Sequence, residues 1–235
     1  MHGVLPVRVV GTDLVLAGVL VLGGGIGWLL LHRPGPVLAA GVLLSGALVL
    51  AVAAVSLWRR RTRCGPADRV TLLRLSMTAV CTGGVLLALA GVTPERTWSL
   101  AVLAGAAAVL DAVDGRVARH TGTASDAGAR FDVEADAVLL LVLSIAVSLV
   151  VGPWAVLIGL LRYLFVAAGW LWPRLTAPLP PRPSRRVVAA LQAVALVGAL
   201  LPVTPVVVAA VGLGIALALL CWSFGLDLWR LIRRR

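Results

Sequence analysis

The sequence predicts an all-α integral membrane protein, a polytopic bundle of about eight transmembrane helices. Hydrophobic residues make up 60% of its 235 residues and charged residues only 13%, whereas soluble domains are about 25% charged. The mean hydropathy of +1.03 agrees with this composition. Because a spanning helix uses about 20 apolar residues, eight of them would take up about 160 positions and leave only short connections.

Clusters of proline, glycine and arginine divide the apolar sequence into eight segments. Each segment is predicted to form one helix, and together they cover residues 13–31, 36–58, 70–92, 97–117, 132–151, 154–172, 187–201 and 204–224. Tryptophan favours the membrane interface. Seven of the eight tryptophans lie at or near the segment ends, which supports these boundaries: Trp58, Trp98, Trp154, Trp170, Trp172, Trp222 and Trp229.

Arginine supplies all 21 basic residues, and with 10 acidic residues it gives a net charge of +11. The arginines lie between apolar segments, which argues against a nucleic-acid partner and favours contact with membrane lipids. Positive charge is retained on the cytoplasmic side of a membrane. One set of loops holds most of the arginines, whereas the alternate set holds only Arg33 and Arg96. We therefore expect an integral plasma membrane protein with both termini in the cytoplasm.

The arginine-rich segment between residues 59 and 69 divides the predicted helices into two parts. Residues 1–65 are expected to form an accessory N-terminal transmembrane hairpin and a cytoplasmic basic loop. Residues 66–235 are expected to form a six-helix core that carries the function.

Six of the ten acidic residues fall between Asp111 and Asp136, where one predicted helix ends and the next begins. Asp111 and Asp114 are three residues apart, so they share a helix face. Gly115 and Ala118 continue that face with almost no side chain, which leaves room for a bulky ligand. Charge near the hydrocarbon of a membrane is costly, so these acids are candidate functional residues.

The following helix carries Gly128, Asp132 and Asp136 at intervals of four residues, again on one face. Two carboxylate pairs can then meet across one short loop. Carboxylates this close repel one another unless they take up protons or bind cations. Oxygen ligands favour Mg²⁺ or Mn²⁺ over zinc or copper. The sequence therefore predicts one or two such cations at a cytoplasmic active site.

The segment from Asp111 to Asp136 resembles the signature of the CDP-alcohol phosphotransferase family, DxxDGxxAR followed by GxxxDxxxD. Every fixed position of the signature is present: Asp111, Asp114, Gly115, Ala118, Arg119, Gly128, Asp132 and Asp136. A looser resemblance extends over the six-helix core, from about Pro66 to Gly225, and includes Thr71 and Arg74. One departure is visible, since Pro66-Ala67-Asp68 stands where many members have Pro-Asn.

The resemblance implies a transferase of phospholipid biosynthesis. It would move a phosphatidyl or similar phosphoalcohol group from a CDP-linked donor, with CDP-diacylglycerol expected, to an alcohol, and release CMP. Two divalent cations, Mg²⁺ or Mn²⁺, would be held by Asp111, Asp114, Asp132 and Asp136. Asp136 is the expected general base, with Asp132 as a further catalytic residue. The implied substrate-binding positions are Gly115, Ala118, Arg119, Gly128 and Thr71. A homodimer is also typical of the family.

Several arginines in or beside the predicted helices could form a basic pocket for a phosphorylated acceptor such as glycerol 3-phosphate or inositol phosphate. Arg162 falls inside a predicted span, where a charge favours a cavity-facing position. The others fit equally well as topology anchors or lipid contacts: Arg74, Arg130, Arg185 and Arg186.

Two other functions fit some of these observations. A membrane prenyltransferase also binds a pyrophosphate through aspartates and Mg²⁺, but its two motifs lie much farther apart than the two carboxylate pairs here. A cation transporter would use intramembrane carboxylates as ion ligands, but it would not need Arg119 beside them.

Overall fold

The computed structural model describes residues 8–60, 66–120, 126–171 and 183–233. These residues form eight α-helices and one short 3₁₀ turn, Pro153–Ala155, without strands, which confirms the predicted all-α polytopic fold class. The helices are α1 Arg8–His32, α2 Pro36–Arg60, α3 Pro66–Leu89, α4 Trp98–His120, α5 Asp126–Val151, α6 Val156–Leu171, α7 Pro183–Leu200 and α8 Val206–Arg233.

Among the described residues, five helices contain segments long and apolar enough to cross a membrane. These segments are Gly11–His32, Pro36–Trp58, Asp68–Leu89, Gly128–Val151 and Val206–Leu226. The other three helices have shorter apolar segments: Trp98–Asp111, Pro153–Ala168 and Val187–Leu200. Several long helices of this kind indicate insertion in a membrane.

Several predicted helix ends were wrong, by three to nine residues. Helix α5 begins at Asp126 rather than at residue 132, and α8 continues to Arg233 rather than ending at residue 224, because helical backbone extends beyond the apolar segment into charged sequence. Helices α3 and α7 begin earlier than predicted, each at a proline, a residue that favours the first helical position. Helix α3 ends at Leu89, before residue 92, since Gly91 takes a φ of 69°.

Gly91 closes α3 with a Schellman motif. Its N–H donates to the carbonyl of Ala88 at 3.0 Å, and the N–H of Val92 donates to the carbonyl of Leu87 at 2.9 Å. These two bonds satisfy carbonyls that the helix end leaves over, and the positive φ that they require favours glycine.

The chain divides into two compact units, Met1–Pro94 with Val102–Leu139, and Glu95–Ala101 with Leu140–Arg235. In the first unit α1, α2 and α3 pack against one another. Trp28 of α1 is buried, and its Nε1 donates to the carbonyl of Val80 in α3 at 3.1 Å. Gly84 makes this approach possible, because a Cβ there would lie 2.8 Å from Cζ2 of Trp28.

In the second unit α7 and α8 pack together, and α6 contacts α8. Phe165 and Phe224 meet with ring centroids 5.1 Å apart. Gly159 of α6 lies so near α5 that a Cβ would stand 2.6 Å from Oγ of Ser144. Arg96 joins two loops of this unit by donating from Nη1 to the carbonyl of Thr204 at 2.6 Å.

Candidate active site

Three of the predicted aspartates meet in the first unit, where α4 nears its end and α5 begins. Asp111 lies on α4, and Asp132 and Asp136 lie one turn apart on α5. One carboxylate oxygen from each residue lies within 4.8 Å of the others. The side chains are 34–40% exposed, so the cluster is partly open and a ligand can reach it.

Arg74 of α3 binds all three carboxylates. Its Nη1 donates to Oδ1 of both Asp111 and Asp136. Its Nη2 donates to Oδ1 of Asp132 at 2.5 Å and to the backbone carbonyl of the same residue at 3.3 Å. The side chain of Arg74 is fully buried. Its planar guanidinium suits this position because it offers several donors in a fixed geometry.

The surroundings of Arg74 on α3 are polar and buried. Thr71, one turn earlier, is only 3% exposed, and Ser76 and Thr78 are equally enclosed. Thr78 donates from Oγ1 to the carbonyl of Arg74 at 2.9 Å, and Ser76 donates to the carbonyl of Leu72 at the same distance. The hydroxyls of Ser76 and Thr78 therefore donate their hydrogen bonds within α3, whereas Arg74 donates to the carboxylates of other helices.

The charges and donor atoms of this cluster fit a divalent cation. Three carboxylates meet a single guanidinium in this cluster, so a divalent cation would offset the negative charge that the carboxylates carry when ionised. All the candidate ligand atoms are carboxylate oxygens, the ligand class preferred by Mg²⁺ and Mn²⁺. Asp111, Asp132 and Asp136 would hold such an ion.

For other predicted site residues the structure describes the position in a helix but not the side chain. Asp114, Gly115, Ala118 and Arg119 belong to the last turns of α4, and Arg185 and Arg186 to the first turn of α7; their side chains lie outside the described part of the chain. Gly128 precedes Asp132 by one turn of α5.

Two further predicted arginines differ in exposure and location. Arg130 is exposed on α5, two residues before Asp132, and Arg162 is half-buried on α6 in the second unit. Arg130 has no described contact with the three carboxylates.

Sequence reasoning left Arg74 equally open to a place in a basic pocket and to a role as an anchor or lipid contact, and it did not pair this arginine with the aspartates. The available signal was its position inside an otherwise uncharged predicted span, where a charge needs a partner. A second contact was missed altogether: Ser56 of α2 donates from Oγ to Oε2 of Glu134 at 2.9 Å. No sequence pattern links these two residues, which are 78 positions apart.

Comparison with known protein families identifies the family of this chain. The sequence profile of a family described as CDP-alcohol phosphatidyltransferase matches residues 66–223, more than half of the protein. The chain belongs to this family. Comparisons with curated proteins and with solved structures found no match.

Membership supports transfer of a phosphatidyl group from a CDP-alcohol to an alcohol acceptor, and it includes the use of divalent metals. The aspartate cluster lies within the matched region and can hold a metal ion. Family and geometry therefore agree on the class of chemistry. They favour it over a prenyltransferase or a cation transporter.

Proposed function

We propose that this protein transfers the phosphatidyl group of CDP-diacylglycerol to an alcohol and releases CMP as a step in phospholipid biosynthesis. The observation that carries the proposal is the convergence of Asp111, Asp132 and Asp136 within 4.8 Å, inside the family-matched region. A pyrophosphate donor binds where positive charge is concentrated. These carboxylates can hold the cations that supply this charge.

The proposed cofactors are two divalent cations, Mg²⁺ or Mn²⁺, held by Asp111, Asp114, Asp132 and Asp136. When bound, such ions neutralise the pyrophosphate and stabilise the departing CMP. Arg74 holds the side chains of the three described aspartates in one orientation through its two terminal nitrogens. Ligands held in place before binding lose less entropy when a cation arrives.

The transfer step uses Asp136 as the proposed general base. Its carboxylate accepts the proton of the acceptor hydroxyl, the acceptor oxygen forms a bond to the β-phosphorus, and the bond from that phosphorus to the oxygen of CMP breaks. Asp132, one turn away, assists by holding the reacting groups in place.

Substrate binding is proposed for the remaining signature positions and for neighbouring polar residues. Gly115, Ala118 and Gly128 would leave space beside the backbone for the nucleotide, and Arg119 would bind phosphate. Thr71 and Arg74 would line the site from α3. Arg130, Arg162, Arg185 and Arg186 would bind a phosphorylated acceptor such as glycerol 3-phosphate or inositol phosphate.

The proposed setting is the plasma membrane, with both termini and the active site at the cytoplasmic face, as the arginine distribution predicts. Residues 66–235 would form the catalytic core and residues 1–65 an accessory hairpin and loop. A homodimer is also proposed, because homodimers are typical of the family.

The test is CMP release by the purified full-length protein in detergent. CDP-diacylglycerol and Mg²⁺ or Mn²⁺ are supplied with glycerol 3-phosphate, inositol phosphate or serine, one acceptor at a time. Asp132→Asn removes a charge and should reduce release below detection, because it changes a ligand of the cluster. The matched control is Glu95→Gln, the same change at an exposed loop position, which should retain activity within about twofold.

Chelation of the divalent cation should also stop release, and added Mg²⁺ or Mn²⁺ should restore it. CMP release by Asp132→Asn at the rate of Glu95→Gln would contradict the assigned site. Metal-dependent ion flux without CMP release for any acceptor would favour a transporter instead.

A further inference from the structure

The N-terminal hairpin, defined as α1 and α2, lies outside the family-matched residues 66–223 but shares the first unit with the aspartate cluster. Both of its helices pack against α3, the helix that carries Arg74. The hairpin also has polar contacts with α3 and α5. These contacts place it next to the elements that carry the candidate cation ligands.

The apolar contacts of α5 alternate with its carboxylates. Phe131 and Ala135 are each 1% exposed and belong to one core cluster with Ala53 and Leu57 of α2 and with residues of α1 and α3. They immediately precede Asp132 and Asp136, respectively. Successive residues of a helix point about 100° apart. Holding Phe131 and Ala135 in the core therefore sets the direction in which the two carboxylates point.

A hydrogen bond fixes the same stretch of α5 from the side of the hairpin. Glu134 lies between Asp132 and Asp136, and its Oε2 accepts from Oγ of Ser56 at 2.9 Å. Ser56 directly precedes Leu57 of the shared core, just as Glu134 directly precedes Ala135. The polar contact and the apolar contact thus constrain rotation of α5 at the same level of the bundle.

A second polar contact joins the hairpin to α3. Arg69 donates from Nε to Oδ2 of Asp13 in α1 at 3.2 Å. Arg69 precedes Arg74 by little more than one turn. The hairpin therefore contacts, on two different helices, residues close to the groups that meet in the cluster.

We propose that the hairpin positions the cation ligands of α5, with Ser56 and Glu134 as positioning residues. They act on the carboxylates of Asp132 and Asp136 through the backbone of α5. The direct effect of the hairpin is on divalent cation binding. Its consequence for catalysis rests on the proposed transferase function.

The experiment measures Mn²⁺ binding to the full-length protein in detergent by electron paramagnetic resonance, without substrate. Ser56→Ala should weaken Mn²⁺ binding about threefold, an effect of the size typical for one interhelical hydrogen bond in a membrane protein. The matched control is Ser45→Ala, also on α2, because Ser45 donates only to the carbonyl of Val42 in its own helix. Ser56→Thr keeps a hydroxyl and should restore most of the affinity.

Glu134→Ala removes a charge near the ligands as well as a hydrogen bond. A double-mutant cycle with Ser56→Ala separates the effect of the hydrogen bond from the effect of the charge. In the Glu134→Ala background, Ser56→Ala should cause no further loss of Mn²⁺ affinity, because the bond is already absent. The melting temperature should stay within about 2 °C across the series. In the transfer assay the cation concentration for half-maximal activity should rise, while the KM for the CDP-linked donor should not.

Equal Mn²⁺ affinities for Ser56→Ala and Ser45→Ala would overturn the inference, as would equal losses from Ser56→Ala with and without Glu134. Mn²⁺ binding by the wild type without CMP release would refute the proposed function and leave the positioning result standing. Absence of Mn²⁺ binding by the wild type would refute both.

Discussion

Helices α1 and α3 contain candidate spans of the same length that differ in hydropathy and in burial. Both spans have 22 residues. The apolar stretch of the α1 span has a mean hydropathy of 2.4 and 22% of it is buried, whereas the apolar stretch of the α3 span has a mean hydropathy of 1.8 and 67% of it is buried. The less apolar helix is the more enclosed one. In a membrane, apolar side chains need no protein cover, while polar side chains need partners that lipid cannot supply.

Particular residues account for this difference. On α1 the exposed positions include Leu16, Val19 and Leu20, whose side chains suit contact with acyl chains. On α3 the enclosed positions include Thr78 and Arg74, both 0% exposed. The hydropathy of a helix therefore predicts that it is inserted, and its polar residues predict which of its faces is enclosed.

The largest expected effect comes from replacing the buried charge of α3. Arg74→Met leaves three carboxylates together without their guanidinium, which should reduce the free energy of unfolding by about 3 kcal/mol. Added Mn²⁺ should recover part of this loss, because a divalent cation replaces the missing positive charge. Thermal unfolding in detergent, with and without Mn²⁺, measures both effects.

Arg33→Met is the control for that substitution, since Arg33 is exposed in the turn after α1. Its melting temperature should stay close to that of the wild type. Equal melting temperatures for the two variants would mean that the enclosed charge of α3 does not hold this region together.

An intermediate effect is expected where α3 approaches α1. Gly84→Leu forces a side chain into space occupied by Trp28, which should cost about 1–3 kcal/mol of folding free energy. Gly27→Leu makes the same change on the exposed face of α1, where a Cβ meets nothing within 4 Å. Thermal unfolding should separate the two variants, and similar destabilisation of both would contradict the close packing of α3 against α1.

The smallest effect is expected for a buried hydroxyl that bonds within its own helix. Thr78→Val keeps the shape of the side chain and removes only its hydrogen bond to the carbonyl of Arg74, so the free energy of unfolding should change by less than about 1 kcal/mol. A loss above about 2 kcal/mol in the same unfolding assay would mean that this hydroxyl also joins α3 to another helix.

Much of the fold could be predicted from the sequence because spanning helices need long apolar segments. The errors fell on helix ends, such as Asp126, because hydropathy ends where charge begins but helical hydrogen bonding continues. The pairing of Asp132 with Asp136 was also predictable from their spacing of four residues. Their approach to Asp111 followed from the short connection between α4 and α5.

The partners of the aspartates were not predictable in the same way. Arg74 reaches them from a helix far away in the sequence, and apolar helices carry little information on which neighbours they face. Ser56 and Glu134 are ordinary polar residues, with no pattern that joins them. Contacts between helices depend on tertiary packing, whereas the acidic signature depends on local spacing.

The wide sequence separation between Arg74 and its carboxylates has a consequence for biosynthesis. Asp111, Asp132 and Asp136 follow Arg74 by 37, 58 and 62 residues, so α3 leaves the ribosome before any of them. An arginine costs up to about 3 kcal/mol when its helix enters the bilayer. The apolar residues of α3 must offset that cost until α4 and α5 arrive, and the order of synthesis therefore limits how polar this helix can become.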